Sequence, residues 1–114
     1  MDSKITDALA FANYRLTLQV QRQNIEARVQ TALLLSYQSA IFKTTQELIS
    51  FVDTKLRLGG NLLVEDQTGN VISILNPGEF LNRLTETYDS AMEMKQGEQQ
   101  KLKSARSTAK IVGL

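Results

Sequence analysis

The sequence predicts a mainly α-helical single domain. Its parts are a long N-terminal helix, a central β-hairpin, and a C-terminal helix ending in a polar, basic tail. Three observations carry that expectation. Residues 3–58 contain neither Pro nor Gly and are rich in helix-forming Ala, Leu, Gln, Glu and Lys. The stretch "NLLVEDQTGNVISILNPGEF" (Asn61–Phe80) instead alternates apolar and polar residues around Gly69-Asn70 and holds the only proline, Pro77. The tetrapeptide "NPGE" (Asn76–Glu79) then has the pattern of a helix start.

Residues 1–58 read as a long helix or helix pair. Ser3 or Asp2 can cap its first turn by accepting from free backbone N–H groups. Apolar residues recur at helical spacing: Ile5, Leu9, Ala12 and Leu16, then Ile25, Val29, Leu33, Tyr37, Ile41, Leu48, Val52 and Leu56. The stripe blurs in "TLQVQRQN" (Thr17–Asn24), which reads as a stutter in the repeat or as a break between helices near residues 19–24. Unbroken, it would run about 80 Å at 1.5 Å per residue, far beyond the usual helix of a globular domain. The most apolar part, "TALLLSYQSAIF" (Thr31–Phe42), reads as the middle of a helical core or as a subunit interface.

Gly59-Gly60 is a natural helix stop, because glycine takes the left-handed cap conformation without strain. Residues 59–76 then form the hairpin. Its strands are Leu62-Leu63-Val64 and Val71-Ile72-Ser73-Ile74, joined by "EDQTGN". A lone two-stranded hairpin is marginal in water, so it must lie on a helix or add to another chain. Residues 77–110 form the last helix and tail. Asn76 suits the cap, Pro77 the first helical position, and Glu79 completes a capping-box arrangement. Phe80, Leu81, Leu84, Tyr88, Ala91 and Met92 share one face, and Gly97 is expected to interrupt the helix.

With 114 residues and a net charge of +1, one modest core is expected, and the average charge gives no reason to expect nucleic acid or membrane. No apolar run approaches the roughly 18 residues of a membrane span, and the start lacks a signal-peptide pattern, so a cytoplasmic protein is expected. The chain has no Cys and no His. That removes disulfides, thiolate chemistry and the usual near-neutral general base and metal ligand. No catalytic residue, cofactor, metal or small-molecule substrate is therefore expected. "EDQTGN" is not a calcium loop: counted from Asp66, the twelfth position is Pro77 rather than a bidentate Glu. "LGGN" lacks the Gly-Lys-Ser/Thr of a phosphate loop. Glu86, Asp89 and Glu93 share a helix face but lack a third ligand type, so they read as a solvated acidic face.

Charge is segregated along the chain. Residues 59–94 hold six acids against Arg83, and residues 95–114 hold Lys95, Lys101, Lys103, Arg106 and Lys110 against Glu98. These five bases favour a helix C-terminus, and they are candidate contacts to an acidic partner or to phosphates. The tail has no aromatic residue to stack on bases, so nucleic acid is the less favoured partner.

Four phrases occur together in order: "FANYRLTLQVQRQNIEAR", "IFKTTQELISFV", "EDQTGNVISI" and "QKLKSARS". Together they resemble small head-assembly proteins of large contractile-tailed bacteriophages, of the prohead-core, internal-scaffold type. That resemblance implies a non-enzymatic, helical, self-associating component made in the infected bacterial cytoplasm. It assigns no functional residue. The leading expectation is thus a self-associating structural or assembly protein. Its interaction residues are expected at Leu33, Tyr37, Ile41, Leu48 and Val52, with the five basic residues helping to choose the partner. The alternatives are a nucleic-acid accessory protein using the basic tail, or a small adaptor or inhibitor of a host protein that binds through the hairpin edge.

Overall fold

Two long helices lie antiparallel and enclose a small α/β head at one end. The computed structural model describes residues 3–111. In chain order the elements are α1 (Ser3–Ala32), β1 (Leu34–Tyr37), β2 (Ala40–Lys43), α2 (Gln46–Leu58), β3 (Leu63–Glu65), β4 (Val71–Ser73) and α3 (Pro77–Ile111). The chain is mainly helical, with the long first helix, the central hairpin β3–β4 and the C-terminal helix that the sequence predicts. The molecule is a rod of 72 × 25 × 19 Å.

The interruption of the first helical region lies elsewhere than expected. α1 runs unbroken through Thr17–Asn24 to Ala32, and the chain turns at Leu33. "LLSYQSAIFK" is a second hairpin, pairing Leu34 with Lys43 and Tyr37 with Ala40. The helical reading of Thr31–Phe42 and the expected break near 19–24 are therefore corrected. Leu35, Ala40 and Phe42 point inward and are buried, while Ser36, Ile41 and Lys43 point outward. That is the alternation of a half-covered strand, disguised in the sequence because outward Ile41 is itself apolar. The two-residue turn places Gln38 and Ser39 both at positive φ, 49° and 60°. This is the type I′ geometry that Asn-Gly normally supplies, and each non-glycine residue there is strained by about 1–2 kcal/mol.

The Gln38 side chain offsets part of that strain by tying the two hairpins together. Its Nε2 donates to the Ser73 carbonyl at 3.0 Å, and its Oε1 accepts from the Leu75 N–H at 2.9 Å. A backbone bond from the Gln67 N–H to the Ile41 carbonyl, 2.7 Å, joins them at a second point. The marginal β3–β4 hairpin is thus stabilised by its own chain.

Helix ends follow local chemistry. Thr45 caps α2, its hydroxyl accepting from the Leu48 N–H at 3.1 Å, and Gly59 closes it at φ 78°. Asn76 caps α3, its Oδ1 accepting from the Glu79 N–H at 3.1 Å, as the capping-box pattern predicts. Gly97 does not interrupt α3, which runs through it to Ile111. An isolated glycine costs a helix about 1 kcal/mol, which a long packed helix absorbs.

Two clusters form the interior. In the head, Leu35, Phe42, Val52, Leu62, Val64, Ile74, Phe80 and Leu84 bury one another. Between the long helices, Ile25, Val29 and Leu33 pack against Ala91. Ion pairs flank this seam on both sides, Arg28 to Glu98 and Lys95 to Glu26, each at 3.4 Å. One buried group is mismatched. The Thr44 hydroxyl is enclosed and has no hydrogen-bond partner among the described residues. Thr44→Val keeps the branched shape and removes the unpaired oxygen, so it should stabilise the fold by about 1 kcal/mol, read as a higher urea midpoint. An unchanged or lower midpoint would contradict this assignment.

Candidate self-association surface

The surface is built on α1. Successive helical residues are rotated by about 100°, so position on the cylinder follows from sequence. Tyr14, Leu18, Ile25, Val29 and Ala32 lie on one side, and from Ile25 to Ala32 this side packs against α3. Ile5, Leu9, Ala12, Leu16 and Val20 fall within about 80° of one another on the opposite side. The step from Leu16 to Ile25 is nine residues, about two and a half turns, so the apolar stripe changes faces there. The blurred stretch Thr17–Asn24 marks this crossover rather than a break.

The second face is uncovered. Ile5 is 54% exposed, Leu9 55%, Leu16 59% and Val20 45%. The antiparallel register explains why much of this half of α1 stands alone. Arg28 lies beside Glu98, and Gln21 and Ala105 line the same groove between the helices. Continuing that register puts Ile111, the last described residue of α3, beside residue 15, and about three turns of α1 lie beyond that level. Phe11 extends the α3-facing side past that point and is also exposed, with the Arg15 guanidinium over its ring at 5.8 Å.

The uncovered face carries no charge. Lys4, Asp7, Arg15 and Arg22 all lie at least about 100° from its centre. Its nearer flanks are Asn13 and Gln19, and Gln23 continues the face beyond Val20 as a neutral polar residue. A neutral, apolar helix face beyond the protein's own core can bury against another helix, but it has no group for acid–base or ligand chemistry. Among the described residues no three His, Cys, Asp or Glu side chains gather to hold a metal, and no helix is long and apolar enough to cross a membrane.

The residues expected to make interactions are mostly used inside the chain. Leu33 and Val52 are buried, Leu48 is half-buried in the head, and Tyr37 lies against the Phe80 ring at 5.1 Å. Ile41 alone of the five is exposed, on the outer side of β2. Lys95 is paired with Glu26. Gln30, donating at 3.0 Å, and then Lys95 hold the Glu26 carboxyl below its ordinary value. Lys101 lies 3.9 Å from Glu98, and Lys103 is exposed. The side chains of Arg106 and Lys110 lie outside the described residues. In and around β3–β4, Leu58, Leu63, Val71 and Leu75 are exposed as well. Asp66 instead serves its own turn. Its Oδ1 accepts from the Thr68 hydroxyl at 2.8 Å and from the Asn70 and Thr68 N–H groups, which lowers its pKa.

No family model, curated protein or solved structure matches this chain.

Proposed function

We propose that this chain is a non-enzymatic structural or assembly component that associates with itself through α1. The observation that carries the reading is the charge-free apolar face of Ile5, Leu9, Ala12, Leu16 and Val20 on the side of α1 opposite α3. The chain's own fold leaves it in water, and burial against a second helix recovers the lost hydrophobic stabilisation. Each large side chain is already about half covered, so each would gain roughly half of the 1.5–3 kcal/mol of a full burial. Association costs about 4–15 kcal/mol in lost freedom, so the expected complex is weak and concentration-dependent. Such an element suits a component that assembles at high local concentration. The likeness to phage prohead-core proteins supports an internal-scaffold role in the host cytoplasm. The nucleic-acid alternative has less support, because two of the three described tail bases, Lys95 and Lys101, are engaged with Glu26 and Glu98.

Sedimentation equilibrium tests the reading. The average mass of the wild type should rise above the 12.8 kDa monomer as concentration reaches the high micromolar range. The double variant Leu9→Glu, Leu16→Glu changes only exposed positions and should remain a folded monomer. A wild-type chain that stays monomeric throughout overturns the proposal.

A further inference from the structure

Resting on that self-association reading, we infer that the occupant of the uncovered α1 face is the same face of a second copy, running antiparallel about a two-fold axis near residues 12 and 13. The order of side chains along the face points to this. It reads Ile5, Leu9, Ala12, Leu16, Val20: β-branched, Leu, small, Leu, β-branched. Reversed, the order of shapes is the same. A two-fold contact is self-complementary and brings each patch against its own reverse. Here Ile5 meets the partner's Val20, Leu9 meets the partner's Leu16, and Ala12 meets the partner's Asn13 at the centre. The small residue falls where the helices come closest, and the bulky ones pack to either side.

Charge agrees with the antiparallel sense. The segment 3–22 carries Lys4, Arg15 and Arg22 against Asp7. A parallel pair would put each cation level with its own copy. The antiparallel pair moves the two Arg22 residues about 28 Å apart and the two Lys4 residues about 25 Å apart along the axis, while the two Arg15 residues, about 100° from the centre of the face, are offset by about 8 Å. It also opposes the two helix dipoles. Neutral residues line the contact, so no charged partner is called for.

Geometry leaves room for it. α3 lies on the other side of α1, so each copy's body is carried away from the contact. Two 72 Å bodies overlapped about residues 12 and 13 make a rod about 115 Å long. The face is one helix stripe about 24 Å long, which covers less than the roughly 800 Å² per partner of a standard stable interface, so the dimer should be weak and form only at high concentration.

The chain has no cysteine, so single-cysteine spin labels report cleanly on the full-length protein. Labels at exposed Asn13→Cys, Gln19→Cys and Gln23→Cys should give inter-copy axial separations near zero, about 20 Å and about 32 Å respectively. Leu9→Glu with Leu16→Glu should weaken the dimer at least tenfold with the helical circular dichroism retained. Short distances at all three positions mean a parallel pair. No short distance at position 13, or association unaffected by the glutamates, means another surface or a head-to-tail contact. Each of these overturns the antiparallel pairing while leaving self-association standing. Absence of any association overturns both.

Discussion

Phe80→Ala lowers the stability of the folded chain by about 3–5 kcal/mol, the usual cost of removing a fully buried phenyl ring. The ring is where three elements meet. From the first turns of α3 it packs edge-on to Phe42 of β2, 5.0 Å between centroids, and tilted against Tyr37 of β1 at 5.1 Å. The head is small, and a two-stranded hairpin is not stable alone, so β1–β2 depends on this ring to remain attached to α3. Domains of this size are stable by about 5–15 kcal/mol, so the loss is a large share of the total. Far-UV circular dichroism against urea reads it as a lower midpoint. Phe51→Ala on α2 is the control, since Phe51 is 44% exposed and should cost under about 1 kcal/mol. Equal effects at the two positions would show that the head is not organised around Phe80.

Val29→Asp opens the seam between the long helices at a cost of about 4 kcal/mol or more at neutral pH. Val29 is 1% exposed and packs with Ile25, Leu33 and Ala91. The substitution removes a buried side chain and places a carboxylate where the short stem cannot reach a cation. Lys95 and Arg28 lie on the flanks and are paired with Glu26 and Glu98. Burial raises the pKa of the introduced carboxyl above its unfolded value of about 3.9. Below that value the group is protonated in both states and the deficit is smallest. As pH rises towards and through the folded pKa the unfolded state ionises more readily, and stability falls. The gap to wild type should therefore widen from pH 4 to pH 7. Hydrogen exchange should show lost protection along α1, with amides of β1–β2 and β3–β4 less affected, because the head has its own core. A deficit independent of pH would mean that the carboxyl finds solvent and that the seam is not closed there.

The elements read correctly from sequence are those fixed by local chemistry. Asn76, Pro77 and Glu79 specify the start of α3 because capping satisfies backbone groups within four residues. Gly59 ends α2, and the Asp66–Asn70 turn closes on its own side chains. The hairpin at Leu34–Lys43 was not legible. Its turn residues, Gln38 and Ser39, carry no hairpin signal, and the turn is tied down by the Gln38 side chain through bonds to Ser73 and Leu75, more than thirty residues away. Three consecutive leucines fit a helix or a strand equally well, and Phe80, distant in sequence, favours the strand.

The apolar ribbon divides in the same way. Its residues and spacing, and the lack of His and Cys, follow from the sequence alone, and they imply a helical chain with more apolar face than one short domain needs. Tertiary structure decided which part of the ribbon stays outside. The sequence favoured residues 25–56, but the head and α3 bury most of the apolar side chains there. What remains exposed is the face of Ile5–Val20, because it lies on the side of α1 opposite α3. Helical periodicity places residues on faces, but only the packing of distant segments determines which face is left to water.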